Sequence, residues 1–183
     1  MEAYRATAPN VDPKAVQARA RELGVTGWVR PTGELHLEGA PEALTALLAT
    51  LADDVTTTPV RTEGHEQFGI RGVPAGSFVV RQRPSGYELQ LEVDGAIRAW
   101  ALPKAPSLDP ADKRFALELA APGPDDGPVW DRGPYEQGGR VAWPEALERG
   151  HAVFVLHGEK LRGGFALQRT QPPRWLLIKR RDA

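Results

Sequence analysis

The short basic run Lys179-Arg180-Arg181 is the segment whose residue types invite contact with phosphate. Lysine and arginine neutralise phosphoryl charge, and a carboxylate with imidazole partners can hold a divalent ion. Four histidines, His36, His65, His151 and His157, complete the inventory of candidate ligands. His151 and His157 share strand parity, but six residues of strand span about 20 Å, too far for one ion. His36 and His65 have no obvious His, Asp or Glu constellation around them, so all four are expected on the surface. With no cysteine in the chain, thiolate zinc sites, iron–sulfur clusters, disulfides and thiol catalysis are excluded.

Composition narrows the class further. The 183 residues hold 23 basic and 24 acidic side chains, net −1, which excludes a generally basic nucleic-acid coat but not a local patch. Apolar residues make up 41% of the chain and there are five tryptophans, which argues against disorder. No apolar run nears the roughly 20 residues of a membrane helix, and no signal peptide is evident, so a cytoplasmic protein with no membrane partner is expected. Glycine (19) and proline (17) are abundant, as in loop-rich β proteins.

The elements fall into two groups. Residues 1–72 carry net −3 and residues 73–183 net +2, with a linker expected over residues 73–77. In the first group, Ala3 to Ala8 reads as a strand. Asp12-Pro13 opens a helix that Gly24 stops, and Val25–Arg30 and Glu34–Glu38 flank the Pro31-Thr32-Gly33 turn. Leu35 and Leu37 face one side. Pro41–Ala52 forms a second amphipathic helix, and Glu63–Arg71 a last strand. The order βαββαβ is the ferredoxin-like split motif. The second group alternates with period two. Phe78–Val80, Tyr87–Val93, Ala96–Leu102, Phe115–Leu119, Ala152–Leu156, Phe165–Arg169 and Trp175–Lys179 are strands, with a hairpin at Asp94-Gly95 and a helical turn near Trp143–Leu147. The fold class is α+β: a ferredoxin-like domain, then a small mainly-β barrel. Trp100, Trp130 and Trp175 are expected in the core; Trp143 is the candidate exception.

Three stretches carry a resemblance: Leu91-Glu92-Val93-Asp94-Gly95 with Trp100 through Arg114; Val129-Trp130-Asp131-Arg132-Gly133; and Gly158 through Thr170 with Trp175 through Lys179. Over residues 78–183 the chain resembles the 3′-phosphoesterase domain of bacterial DNA ligase D. That resemblance implies a compact barrel that removes 3′-phosphates and terminal ribonucleotides with a divalent metal, typically Mn2+. The family's metal-binding strand matches Gly86–Glu92. Its second histidine falls on Gly86, its aspartate on Glu88 and its arginine on Gln90; its first histidine falls near Arg83. Its late histidine would fall around residues 121–123, where none exists. Lys104 and Arg114 match family residues that contact a phosphate or sulfate.

Residues 2–72 resemble the acylphosphatase fold through Glu22–Arg30, Glu34–Gly39 and Phe68-Gly69-Ile70-Arg71. The resemblance places the family's helix arginine on Pro13, its phosphate loop on Ala8–Asp12 and its water-orienting asparagine on Pro31.

These residues lead to a degenerate, non-catalytic binding or accessory protein, linked to bacterial DNA repair and end joining. It would carry a residual phosphate pocket at Lys104 and Arg114 and no cofactor. Its partners would be DNA ends or a repair protein, and its candidate DNA contacts Arg81, Arg83, Lys160, Arg162, Lys179 and Arg180. Two alternatives stay open. One is an active 3′-end phosphoesterase with a rebuilt Mn2+ site using Glu88 and Arg83; the other is a protein-interaction module with no nucleic-acid role.

Overall fold

The computed structural model describes residues 1–181 and divides into two units. The first comprises residues 1–73 with 139–142; the second comprises 74–138 and the chain from 143 onward. Among the described residues no helix is long and apolar enough to cross a membrane.

The first unit runs β1 (Glu2–Thr7), α1 (Pro13–Leu23), β2 (Thr26–Val29), β3 (Glu34–Gly39), α2 (Pro41–Leu48), β4 (Thr56–Pro59) and β5 (Phe68–Ile70). Its sheet has the order β4-β1-β3-β2-β5, with only the β2–β5 pair parallel. The helix signals work as expected. The Asp12 carboxylate caps α1 by accepting from the Lys14 and Ala15 N–H groups (3.0 and 3.4 Å), and Gly24 ends it with φ 71°. Val16 and Ala20 of α1 and Leu44 and Leu47 of α2 pack on Leu35, Leu37, Val29 and Phe68. Strand alternation then turns the residues between those leucines, His36 and Glu38, to the opposite face of the sheet.

Three expectations need correction here. The second helix stops at Leu48 rather than Ala52, with no αL glycine at its end. The strand β4 was not foreseen, because Thr56–Pro59 is exposed throughout and shows no apolar alternation. The strand expected over Glu63–Arg71 shrinks to three residues. The N–H groups of Glu63, Gly64 and His65 donate to the Glu38 carboxylate instead of to a neighbouring strand.

The second unit is a closed antiparallel barrel. It contains β6 (Gly76–Arg83), β7 (Gly86–Val93), β8 (Ala96–Leu102), β9 (Lys113–Glu118), β10 (Val129–Gln137), the short helix α3 (Glu145–Glu148), β11 (His151–His157), β12 (Arg162–Gln171) and β13 (Arg174–Lys179). The circular order is β10-β11-β12-β13-β9-β8-β7-β6, and β6 pairs with β10 to close it. The strand β6 begins inside the segment read as linker. Asp94 and Gly95 both take positive φ (51° and 76°), as the two-residue hairpin turn requires.

The unforeseen strand is β10. Gly133 and Pro134 argue against a strand, and a bulge between Val129 and Asp131 interrupts its pairing with β6. Gly133 is there because of crowding: a Cβ would lie 2.2 Å from the His157 carbonyl oxygen. The core is filled by Phe78, Leu89, Leu91, Trp100, Tyr135, Phe154, Phe165 and Trp175. Trp100 and Trp175 meet edge to face at 5.9 Å, and Trp175 Nε1 donates to Glu118 (3.0 Å). Two tryptophan expectations are corrected. Trp130 is only half-buried, on a strand whose burial alternates irregularly around the bulge. Trp143 packs against Tyr135 and Phe154 rather than standing out in solvent.

Candidate functional site

One end of the barrel holds a cleft of about 410 Å³ lined by Arg83, Ser85, Tyr87, Glu88, Ala101, Leu102, Pro103, Phe115, Leu117 and Leu119. Strand geometry assembles it. Arg83 ends β6, and Tyr87 and Glu88 begin β7 across the hairpin, with Arg83 facing Gly86 and Arg81 facing Glu88 in register. Leu102 of β8 pairs with Tyr87 and closes one wall.

Glu88 is buried at the base of this cleft and its oxygens are taken. Arg83 Nη2 donates to Oε2 at 2.9 Å, Gln90 Nε2 to the same oxygen, and the Gly123 N–H to Oε1 at 3.0 Å. Burial pushes the Glu88 carboxyl up. The hydrogen bonds from Arg83, Gln90 and Gly123 and the Arg83 charge outweigh burial and hold it below the usual carboxylate range. Arg83 is itself bound by the loop 124–127, through the Pro124 carbonyl (2.8 Å) and the Asp126 carbonyl (3.0 Å). Arg81 donates to the Asp125 carboxylate and more weakly to the Asp126 and Gly127 carbonyls.

The other sequence candidates lie apart from that pair. Lys104 is exposed, with no hydrogen bond or ion pair among the described residues. Arg114 Nε donates to the Ala105 carbonyl (2.9 Å), and Arg114 pairs with Asp112 at 3.6 Å. The β8–β9 connection therefore ties Arg114 to the backbone of the residue after Lys104. Neither side chain lines the cleft; on β9, alternation turns Arg114 to the face opposite the cleft-lining Phe115. Lys160 Nζ sits 4.5 Å above the Trp130 ring, whose plane meets Tyr87 edge-on at 5.8 Å. Arg162 Nε donates to the Gly158 carbonyl (2.9 Å). Lys179 is buried, with Nζ donating to the Arg180 carbonyl (2.8 Å); Arg180 is exposed.

A turn explains the second and third sequence motifs. Buried Asp131 accepts from the N–H groups of Arg132 and Glu159 (both 2.9 Å), Lys160 (3.2 Å) and Leu161 (2.7 Å). Gly158 makes the approach possible, since a Cβ there would lie 2.3 Å from Asp131 Oδ2.

Residues 81–169 match the family model of the DNA Ligase D 3′-phosphoesterase domain. The barrel is thus similar to a ligase D phosphoesterase domain from β6 to β12. Among curated relatives, the multifunctional non-homologous end joining protein LigD of Pseudomonas aeruginosa is 38% identical over 122 residues, covering 52% of this chain and 14% of that protein. The Mycolicibacterium smegmatis protein of the same name is 30% identical over 129 residues, covering 57% of this chain and 17% of its own length. The Mycobacterium tuberculosis DNA repair protein LigD is 28% identical over 119 residues. The chain thus spans about one sixth or less of these relatives. A crystal structure of acylphosphatase from Bacillus subtilis covers 38% of this chain and 98% of its own, at 27% identity and TM-score 0.34.

The donor set at the base of the ligase D-like cleft does not suit a manganese ion. Glu88 is its one carboxylate, no imidazole accompanies it, and a guanidinium occupies the coordinating side of that carboxylate. The first unit likewise offers no open anion cradle at its first helix. The Asp12 carboxylate takes the N–H groups there and adds a negative charge of its own.

One expectation about the histidines is overturned. His151 and His157 are exposed, but His36 and His65 are buried and lie together with Glu38. The signal was present in part. A strand whose leucines at 35 and 37 face the helices must send 36 and 38 to its other face. What the sequence concealed is that the 60–67 loop folds back over that face.

Proposed function

We propose that the barrel is a phosphate-binding accessory module in DNA end joining that receives a nucleic-acid terminus without cleaving it. The observation that carries this reading is the Arg83–Glu88 ion pair, 2.9 Å long, at the base of the cleft. A carboxylate neutralised by a guanidinium and two further donors is a poor ligand for a reaction metal, whereas the surroundings favour a phosphate ester. Lys104 is exposed, Arg114 is bonded to the carbonyl of Ala105, the residue after Lys104, and the cleft-lining Tyr87 and Phe115 offer aromatic surface to a base or sugar. The similarity to end-joining ligases supports DNA ends as the partner. The net charge of −1 keeps the affinity local and salt-sensitive.

Fluorescence anisotropy with duplexes ending in 3′-phosphate or 3′-hydroxyl tests the reading, alongside phosphate release in Mn2+. Binding should weaken with salt. Lys104→Gln with Arg114→Gln should lower the slope of log K against log salt by about two. Mn2+-dependent phosphate release that disappears in Glu88→Gln would instead establish an active phosphoesterase. Salt-independent binding, or none, would leave the fold as a protein-interaction module.

A further inference from the structure

The first unit contains a buried group of side chains that neither the barrel nor the end-binding reading uses. His36 and Glu38 occupy alternate positions of β3 on the face away from the helices, and the loop between β4 and β5 brings His65 over them. The ligand atoms of these three residues all lie within 4.8 Å of one another. We propose that His36, Glu38 and His65 form a binding site for a divalent first-row transition ion of the zinc class.

Chemistry selects the ion. Two imidazoles and one carboxylate, with no thiolate, match Zn2+, Co2+ or Ni2+ better than Ca2+ or Mg2+, which take oxygen ligands. Ligands about 2.0–2.2 Å from a tetrahedral ion lie roughly 3.3 Å from each other, so the His36–Glu38 contact at 2.7 Å must open slightly and the wider separations, up to 4.8 Å, must close.

The surroundings already orient the donors. His36 stacks on Trp28, its partner in the β2–β3 ladder, at 6.2 Å and 25°. Its Nε2 lies 2.7 Å from Glu38 Oε1, and its buried Nδ1 has no partner among the described residues. Backbone N–H groups of Glu63, Gly64 and His65 fix the Glu38 carboxylate. His65 Nε2 lies 3.0 Å from Glu63, which supplies a further carboxylate at the rim. Metal sites use such supporting contacts to aim their ligands.

Local charge sets the affinity. Glu38 and Glu63 bring two negative charges, of which Arg5 offsets one through its 2.6 Å pair with Glu63. Arg30 and Arg71 stand over the Trp28 ring, 5.2 and 4.9 Å from its centre, and oppose a dication. Binding through His36 Nε2 would replace its contact with Glu38, the ring then carrying its proton on the unpartnered Nδ1. Bound there, it would pin the 60–67 loop to the sheet.

The full, untagged chain, stripped with a chelator, is titrated with Co2+ and Zn2+. The expected result is one equivalent of Co2+ with visible d–d absorption, displaced by Zn2+. Zn2+ should raise the melting temperature by several degrees, an effect absent in His65→Gln and His36→Gln and retained in His151→Asn/His157→Asn. Because His36 is buried and its variant can misfold, ring nitrogen NMR of the unmutated chain gives a second readout. The His36 and His65 resonances should shift on Zn2+ addition. No stoichiometric absorption, or binding that follows His151 and His157 instead, overturns the proposal.

Discussion

Arg83 and Glu88 form a diagonal pair across the β6–β7 hairpin, 2.9 Å apart and largely shielded from water. Removing one member of such a pair leaves the other charged and unsatisfied. Arg83→Met should therefore cost about 3 kcal/mol of stability. Arg83→Met with Glu88→Leu should recover much of it. Urea denaturation of the two singles and the double measures the coupling; additive losses would show that the pair does not act as a unit.

Stability should depend on acid through the same carboxylate. Burial alone would raise the Glu88 carboxyl, but the bonds from Arg83, Gln90 and Gly123 and the Arg83 charge bring it below its ordinary value. A group depressed in the folded state stabilises the fold above its unfolded pKa, near about 4.3 for glutamate, and loses that contribution as pH falls through the folded value. Thermal melts from pH 7 down to pH 3 should show the unmutated protein losing more than Glu88→Gln, the gap closing at the acid end. Parallel curves would remove Glu88 as the source.

The Asp131 turn is a dense polar junction in the barrel. Four backbone N–H groups converge on one buried carboxylate. Asp131→Ala should destabilise by about 3–5 kcal/mol, since it strands one buried and three part-buried donors at once. Asp131→Asn should cost less, because its amide oxygen still accepts. Gly158→Ala should approach the aspartate deletion in effect, through collision with Oδ2.

A backbone crossing in the first unit gives an independent test. Gly27 has φ 127°, and a Cβ there would fall 1.9 Å from the His36 carbonyl oxygen. Gly27→Ala should lose the β2–β3 register and more than about 3 kcal/mol. Hydrogen exchange of the β3 amides would report it, and a native-like exchange pattern would contradict the steric argument.

Strands with alternating leucines and aromatics, such as Tyr87–Val93 and Ala152–Leu156, were legible because one face of each is core. The Asp12 cap and the Asp94-Gly95 turn were legible because their backbone angles demand those residue types. Thr56–Pro59 and Val129–Gln137 were not. The first has no buried face, and the second carries Pro134 and Gly133, the glycine's reason lying in a strand distant along the chain. At the site, the Glu88 and Arg83 positions could be named, but not that they bind each other. The partners of His36 were hidden because Glu38 captures a loop nearly thirty residues away.

Closure of the barrel sets the order in which it can be completed during synthesis. The strand β9 cannot pair with β13 until Arg174–Lys179 have been made, so every shorter nascent chain exposes raw hydrogen-bonding edges on β9 and β12. A premature stop before Trp175 would thus yield a sticky, aggregation-prone product rather than a smaller closed barrel, because β13 is the strand that covers both edges.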